Sequence, residues 1–87
     1  MEYDKKAINR LKRIEGQMKG IIGMMEQEKD CREIVTQLSA VRSAIDRAMG
    51  VIVSANLEHC VRENVLKGEK TDYLVKEAVE LLIKSRS

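Results

Sequence analysis

Apolar residues recur every three or four positions along the first part of the chain, which is the spacing of one face of an α-helix. The repeating positions are Ile8, Leu11, Ile14, Met18, Ile21 and Met25. Asp4 precedes them and is a suitable N-cap, so the pattern predicts a first amphipathic helix that ends near Glu26. Gly16 and Gly20 share one face of this helix, where we expect them to let another helix approach closely.

A second apolar stripe starts after Asp30 and continues well past the middle of the chain. Its positions are Cys31, Ile34, Leu38, Val41, Ile45, Ala48, Ile52, Asn56 and Cys60. Asp30 can cap the start of a helix and Gly68 can end one, whereas a lone Gly50 does not interrupt a helical pattern. The pattern therefore predicts one long helix over residues 31–66, with a hairpin broken at Gly50 as the alternative. A third helix is predicted to start near Thr71.

Length and composition favour a single all-α domain over residues 1–87. The chain has 87 residues and contains no proline, phenylalanine or tryptophan, so its core must be aliphatic. A chain this short buries little surface alone, and we expect a partner subunit to complete the core. No apolar run has the length of a membrane span or a signal-peptide core, and two cysteines do not make a secreted disulfide framework. These features predict a cytoplasmic protein with no membrane partner.

The positive charge of the chain is concentrated in the first predicted helix. The net charge of the whole chain is only +2, but residues 5–19 hold six basic side chains against the single carboxylate of Glu15, a local charge of +5. Such a helix face is either simply solvated or binds nucleic acid.

The spacing of the two cysteines determines how they can meet. In a continuous helix, a rise of about 1.5 Å per residue separates Cys31 from Cys60 by about 43 Å, whereas a disulfide needs Cα atoms within about 7 Å. Two antiparallel copies of the helix, related by a two-fold axis between Ile45 and Asp46, would instead place Cys31 of each subunit beside Cys60 of the other. We therefore predict an antiparallel helical dimer with two equivalent dithiol sites. The hairpin alternative would join the thiols within one chain.

The surroundings of the two thiols suggest different roles. Cys31 lies at the first helical position, where the helix dipole favours an anion and hence a nucleophilic thiolate. Cys60 lies in mid-helix, with Asn56 one turn before it, and is expected to be the less reactive of the two thiols; the alternative is that both thiols are small buried hydrophobic groups. An amide is a poor ligand for a soft metal, and His59 points about 100° away from Cys60. We predict no metal site, no cofactor and, because neither thiol has a general base nearby, no enzymatic activity.

The stretch INRLKRIEGQMKGIIGMM, followed by Cys31 and by NLEHC ending at Cys60, resembles the CsoR/RcnR/FrmR family of small repressors over essentially the whole chain. The resemblance implies a homotetramer built as a dimer of dimers that binds operator double-stranded DNA without a helix-turn-helix. An inducer at the cysteine site between subunits would release the DNA. The resemblance also implies DNA contacts at Arg10 and Arg47, with Arg13, Gln17 and Lys19 as weaker candidates.

The residue at position 56 decides which branch of that family the chain resembles. Copper sensors of the family have a histidine 25 residues after the first cysteine, as do its nickel/cobalt and formaldehyde sensors, but here Asn56 occupies that position. The Cys–Asn–Cys pattern resembles the CstR branch, in which the first cysteine attacks a persulfide and the partner's second cysteine resolves it into a di-, tri- or polysulfide link. The resemblance therefore implies a repressor that senses persulfides or polysulfides. A Cu(I)-sensing repressor and a sulfur carrier that binds no DNA are the alternatives.

Overall fold

The computed structural model describes residues 2–85, which form three α-helices and no β-strand. The helices are α1 (Lys5–Glu26), α2 (Cys31–Lys67) and α3 (Asp72–Lys84). This confirms the all-α fold with a long second helix; the end of α1 is the predicted one, and α2 extends one residue further than predicted. None of these described helices is both long and apolar enough to span a membrane.

Aspartate side chains cap the first two helices, as the sequence predicts. Asp4 accepts a hydrogen bond from the Ala7 N–H at 2.8 Å, and Asp30 accepts one from the Glu33 N–H at 2.9 Å. Each bond satisfies one of the amide groups that a helix N-terminus leaves without a partner. Because Asp30 caps α2, the helix begins at Cys31 and places that thiol in the first turn.

Residues 2–48 form one compact unit, in which α1 packs against the first part of α2. Its buried core contains Ile14 and Ile21 from α1 and Val41 and Ala48 from α2, and Ile34 and Ala44 pack against it. No helix of residues 2–85 makes the expected close approach at Gly16 and Gly20, because a Cβ atom built at either position would meet no atom within 4 Å. Both glycines lie on the side of α1 away from Ile14, where these residues supply no packing partner.

Residues 49–85 form the second unit, which contains the rest of α2 and α3. The helix passes through Gly50 without interruption, so the hairpin alternative is wrong. It ends where expected: Gly68 has a positive φ of 73°, and the Glu69 N–H donates to the Asn64 carbonyl at 2.8 Å. A glycine adopts this left-handed conformation without the penalty of a Cβ atom, which is why it terminates the helix.

The side chain of Asn64 ties the turn after α2 to α3. Its amide group donates to the Lys70 carbonyl at 3.0 Å and to the Tyr73 hydroxyl at 3.2 Å. We expect Asn64→Ala to lower the free energy of unfolding by about 1–2 kcal/mol, since each lost hydrogen bond costs about 1 kcal/mol. Denaturant unfolding of the reduced protein at fixed concentration measures the change. Asn9→Ala in α1 is the matched control, because the exposed Asn9 side chain makes no hydrogen bond with the described part of the chain. Equal stabilities of the two variants would contradict the prediction.

Candidate functional site

Cys31 is the first residue of α2, and its side chain is exposed with a free thiol. The Asp30 cap leaves the other amide groups of the first turn directed out of the helix, so the thiol lies where the helix dipole favours negative charge. A small solute can reach this sulfur directly. The structure therefore confirms the exposed position of Cys31 at the start of α2, and its role as the nucleophile stays a prediction.

Cys60 lies in mid-helix and is half-buried, also as a free thiol. Its S–H group donates to the Asn56 side-chain oxygen one turn earlier, with 3.9 Å between Sγ and Oδ1. This weak bond orients the sulfur along α2. The structure thus brings together two of the residues predicted for the site, Asn56 and Cys60, through a direct contact.

Asn56 and Cys60 also line a cavity of about 140 Å³ between the second part of α2 and α3. Glu77 is the third polar residue of the lining; the remaining residues are apolar, namely Val53, Leu57, Leu74, Ala78 and Leu81. Sequence reasoning missed Glu77. The signal was present, because a glutamate stands between Leu74 and Ala78 on the apolar face of α3.

Cys31 is not brought to this cavity by its own chain. Because α2 is continuous from Cys31 to Lys67, the two thiols are separated by about 43 Å along the helix axis. His59 also lies apart from the cavity lining and instead contacts Glu63, with 3.4 Å between Nε2 and Oε1. Among residues 2–85, no three His, Cys, Asp or Glu side chains are grouped so that they could hold a metal ion.

The basic side chains of α1 form two separate rows. Lys6, Arg10, Arg13 and Gln17 fall within about 60° around the helix, all of them exposed. Lys19 lies about 180° from Arg10 and belongs to a second row with Lys5 and Lys12, at a spacing of seven residues. No basic side chain of α1 has an ion pair in the described part of the chain. The structure therefore separates Lys19 from the other predicted DNA contacts on this helix.

Arg47 is exposed and projects on the same side of the first unit as the first row. The contact between α1 and α2 is fixed by the buried residues Ile14, Ile21, Val41 and Ala48. Around the axis of α2, Arg47 lies about 100–120° from the buried residues Val41 and Ala48. Around the axis of α1, Arg10 is displaced from Ile14 in the same rotational direction. Because the two helices run antiparallel, displacements in the same rotational direction point to the same side of the helix pair. We call the surface formed by Lys6, Arg10, Arg13, Gln17 and Arg47 the arginine face; sequence reasoning did not include Lys6.

The opposite side of the same unit is apolar. Five large aliphatic side chains on it are between 40% and 48% exposed: Ile8, Leu11, Met18, Leu38 and Ile45. They come from both α1 and α2, and together they form an apolar surface that the chain itself leaves uncovered.

Comparison with known sequences identifies the family. Residues 3–84 match the family model described as metal-sensitive transcriptional repressor. The uncharacterized protein YrkD of Bacillus subtilis is 76% identical over 63 residues, which cover 72% of this chain and 100% of YrkD. The copper-sensing transcriptional repressor RicR of Mycobacterium tuberculosis is 42% identical over 59 residues, covering 68% of this chain and 62% of RicR. The copper-sensing transcriptional repressor CsoR of Mycobacterium ulcerans is 45% identical over 67 residues, which cover 75% of this chain and 57% of that CsoR.

Solved structures agree with these sequence matches. The nickel-responsive transcriptional regulator InrS superposes with a TM-score of 0.75 at 31% identity, covering 93% of each chain. The Cu(I)-bound copper-sensing repressor CsoR from Geobacillus thermodenitrificans superposes with a TM-score of 0.78 at 25% identity, covering 100% of this chain and 94% of the other. This chain spans less than two thirds of RicR and of the Mycobacterium ulcerans CsoR. The family model nevertheless matches residues 3–84, which are nearly all of this chain. The chain therefore belongs to the metal-sensitive transcriptional repressor family and is not an enzyme.

Proposed function

We propose that this chain represses transcription by binding operator DNA, and that persulfides or polysulfides release it by reacting at Cys31 and Cys60. The observation that carries the choice of inducer is the contact at Cys60: the side chain one turn before it, which accepts its S–H hydrogen bond, is the amide of Asn56 and not an imidazole. An amide oxygen is a hard donor that binds a soft metal weakly, whereas it leaves the thiol available for sulfur chemistry. On the same ground, we propose that the chain belongs to the CstR branch of the family.

A second copy of the chain would complete the site. The apolar side of the first unit supports this, since an exposed aliphatic surface of this kind favours association. Antiparallel pairing about a two-fold axis between Ile45 and Asp46 sets the exposed Cys31 of one subunit beside Cys60 of the other. Two such dimers would form the homotetramer that the family resemblance implies.

Sulfur transfer at this site proceeds in two steps, each of which exchanges one sulfur–sulfur bond for another. The Cys31 thiolate attacks the outer sulfur of a persulfide RS–SH, the S–S bond breaks, and RS⁻ leaves with the bonding electrons, so that Cys31 becomes a persulfide. The thiolate of Cys60 from the second subunit then attacks the inner sulfur and displaces HS⁻, forming a disulfide between subunits. Attack on longer sulfur chains gives tri- and polysulfide links. A low-molecular-weight persulfide or polysulfide supplies the oxidising equivalents.

DNA binding is proposed for the arginine face. Its cations are exposed and are not neutralised by neighbouring carboxylates, so they are free to contact phosphates. Arg10, Arg13, Gln17 and Arg47 come from the family resemblance, and Lys6 joins them because it lies in the same row. Lys19 is set apart from this surface. A crosslink at the thiols would favour a subunit arrangement with lower DNA affinity, which is a coupling between two sites. This function would place the protein in the cytoplasm.

Cu(I) is the second candidate inducer, and the named relatives support it more directly than they support sulfur. RicR and the CsoR proteins are described as copper-sensing repressors. Two thiolates can bind Cu(I) even without a third ligand, since soft ligands suit this ion. A sulfur carrier that binds no DNA has no such support, because the family is one of repressors.

Operator release distinguishes the two inducers. We expect glutathione persulfide to weaken binding to the DNA upstream of the chain's own gene by tenfold or more, which corresponds to about 1.4 kcal/mol of coupling. One equivalent of Cu(I) per subunit should bind and leave DNA affinity unchanged. Fluorescence anisotropy of labelled DNA measures both effects.

Asn56→His tests the role of the amide in the same assay. The imidazole adds a nitrogen ligand beside the two thiols, so copper affinity should rise and a copper response should appear. Asn9→His on exposed α1 is the matched control and should change neither property. If the unmodified protein leaves its operator with Cu(I) as readily as with persulfide, the copper assignment replaces the sulfur one.

A further inference from the structure

The cavity beside Cys60 has a size and a charge that the proposed sulfur chemistry does not by itself require. It lies between α2 and α3, and the Cys60 thiol forms part of its wall. Two crosslinked sulfur atoms need no such space. The cavity is therefore available to a further part of the reacting molecule, namely the organic group that carries the sulfane sulfur.

The volume limits the size of that group. At about 140 Å³, the cavity is similar in volume to an engineered apolar cavity of about 150 Å³ that binds benzene in another protein. A group of about six non-hydrogen atoms fits such a space, whereas a glutathionyl group is several times larger. Most of the lining is aliphatic, so the methylene groups of a small thiol are well accommodated.

The charge of the lining limits the group further. Glu77 is exposed and lines the cavity, and no basic residue of the same chain lines the cavity with it. A carboxylate on the incoming donor would be repelled at this position, and an ammonium group would be attracted. Asn56 and Cys60, the other polar residues of the lining, carry no formal positive charge that would offset Glu77.

We infer that this cavity binds the organic group of a small aliphatic persulfide, and that Glu77 makes the site prefer cationic or neutral donors over anionic ones. The inference rests on the proposed function and specifies its substrate class. The donor's organic group occupies the cavity, which places the sulfane sulfur next to Cys60 and, in the proposed dimer, next to the partner subunit's Cys31. The thiolate of the partner subunit's Cys31, or that of Cys60 where Cys31 has been replaced, attacks the outer sulfur of RS–SH. The S–S bond breaks, the attacking cysteine becomes a persulfide, and RS⁻ takes up a proton and leaves the cavity as RSH.

The test uses three small persulfides that differ mainly in charge: those of cysteamine (cationic), 2-mercaptoethanol (neutral) and mercaptoacetate (anionic). In the Cys31→Ala variant, Cys60 is the remaining thiol, so intact mass reports sulfur addition beside the cavity alone. We expect cysteamine persulfide to react roughly three- to tenfold faster than mercaptoacetate persulfide at low ionic strength. Glutathione persulfide should be slower than the neutral small donor because of its size.

Glu77→Gln removes the charge and keeps the shape of the side chain. It should therefore bring the ratio of the rates with the cationic and anionic donors close to the ratio that the same donors have with a free thiol in solution. Glu80→Gln removes a charge from an exposed position on the same helix that does not line the cavity, and it should leave the ratio unchanged. The ratio is the decisive quantity, because any general change in the reactivity of Cys60 cancels in it.

The outcomes separate this inference from the proposed function. If persulfides release operator DNA but the rate ratio is the same in Glu77→Gln, Glu80→Gln and their parent, charge selection by Glu77 is wrong and the sulfur-sensing function stands. A ratio that responds equally to both substitutions points to the overall charge of α3 and also overturns the inference. If none of the persulfides adds sulfur to the protein or releases DNA, both proposals fail.

Discussion

Replacing Cys31 by alanine will abolish release of operator DNA by persulfide and leave DNA binding itself intact. The thiol is exposed at the first position of α2, so its loss removes the nucleophile without creating a cavity in a packed core. Induction should fall from tenfold or more to none in the anisotropy assay. On a non-reducing denaturing gel, the band at twice the monomer mass that persulfide generates in the parent protein should be absent.

Cys60→Ala is the informative comparison for this experiment. The variant keeps Cys31 and should still gain sulfur by intact mass, but it should form no crosslink between subunits and no stable induced state. A persulfide-treated parent protein that runs wholly as monomer, with a sulfur bridge inside one chain, would contradict the two-subunit site. Faster alkylation of Cys60 than of Cys31 at neutral pH would reverse the roles of the two thiols.

Removing cations from the arginine face will weaken operator binding and reduce its dependence on salt. Binding to duplex DNA releases counterions, so log affinity falls as log salt rises, and each lost phosphate contact makes this negative slope shallower by about 0.9. We expect Arg10→Ala and Arg47→Ala each to make the slope shallower by at least this amount, because every subunit of an oligomer carries the change. The double variant should have the largest loss of affinity.

Lys6→Ala and Lys12→Ala form a matched pair that tests the geometry of this surface. Both substitutions remove one exposed lysine from the first half of α1, but Lys6 lies in the row of Arg10 and Lys12 lies in the row of Lys19. Lys6→Ala should reduce the salt slope and Lys12→Ala should not. Equal slopes for the two variants would place the DNA elsewhere, and oligomer mass should be the same in both.

The helices of this protein were predictable because their signals are local in the sequence. A helix is set by apolar spacing and by contacts between residues three or four positions apart, such as the caps formed by Asp4 and Asp30. The termination at Gly68 is likewise local, since it depends on the conformation of that one residue. The positions of Cys31 at a helix start and of Cys60 beside Asn56 follow from these boundaries, so these parts of the candidate site were also predictable.

Packing between segments that are distant in the sequence decided the rest. The contact of Ile14 and Ile21 with Val41 and Ala48 selects which side of each helix faces the other, and this choice aligns Arg47 with Arg10. The separation of Lys19 from Arg10, by contrast, follows from the periodicity of α1 alone. Gly16 and Gly20 were expected to lie against a helix because small residues permit close contact. A small residue does not by itself determine which helix packs there, and α2 packs on another side of α1.

The cavity at Cys60 combines residues whose proximity follows from one helix with a residue that only helix packing brings there. The sequence by itself determined that Cys60 and Asn56 lie one helical turn apart, because that spacing is a property of a single helix. Only the packing of α3 against the second part of α2 placed Glu77 at the same cavity as the thiol. Periodicity along one helix defines which residues share a face, whereas the free energy of burying apolar side chains between helices decides which faces meet, and therefore which polar groups become neighbours.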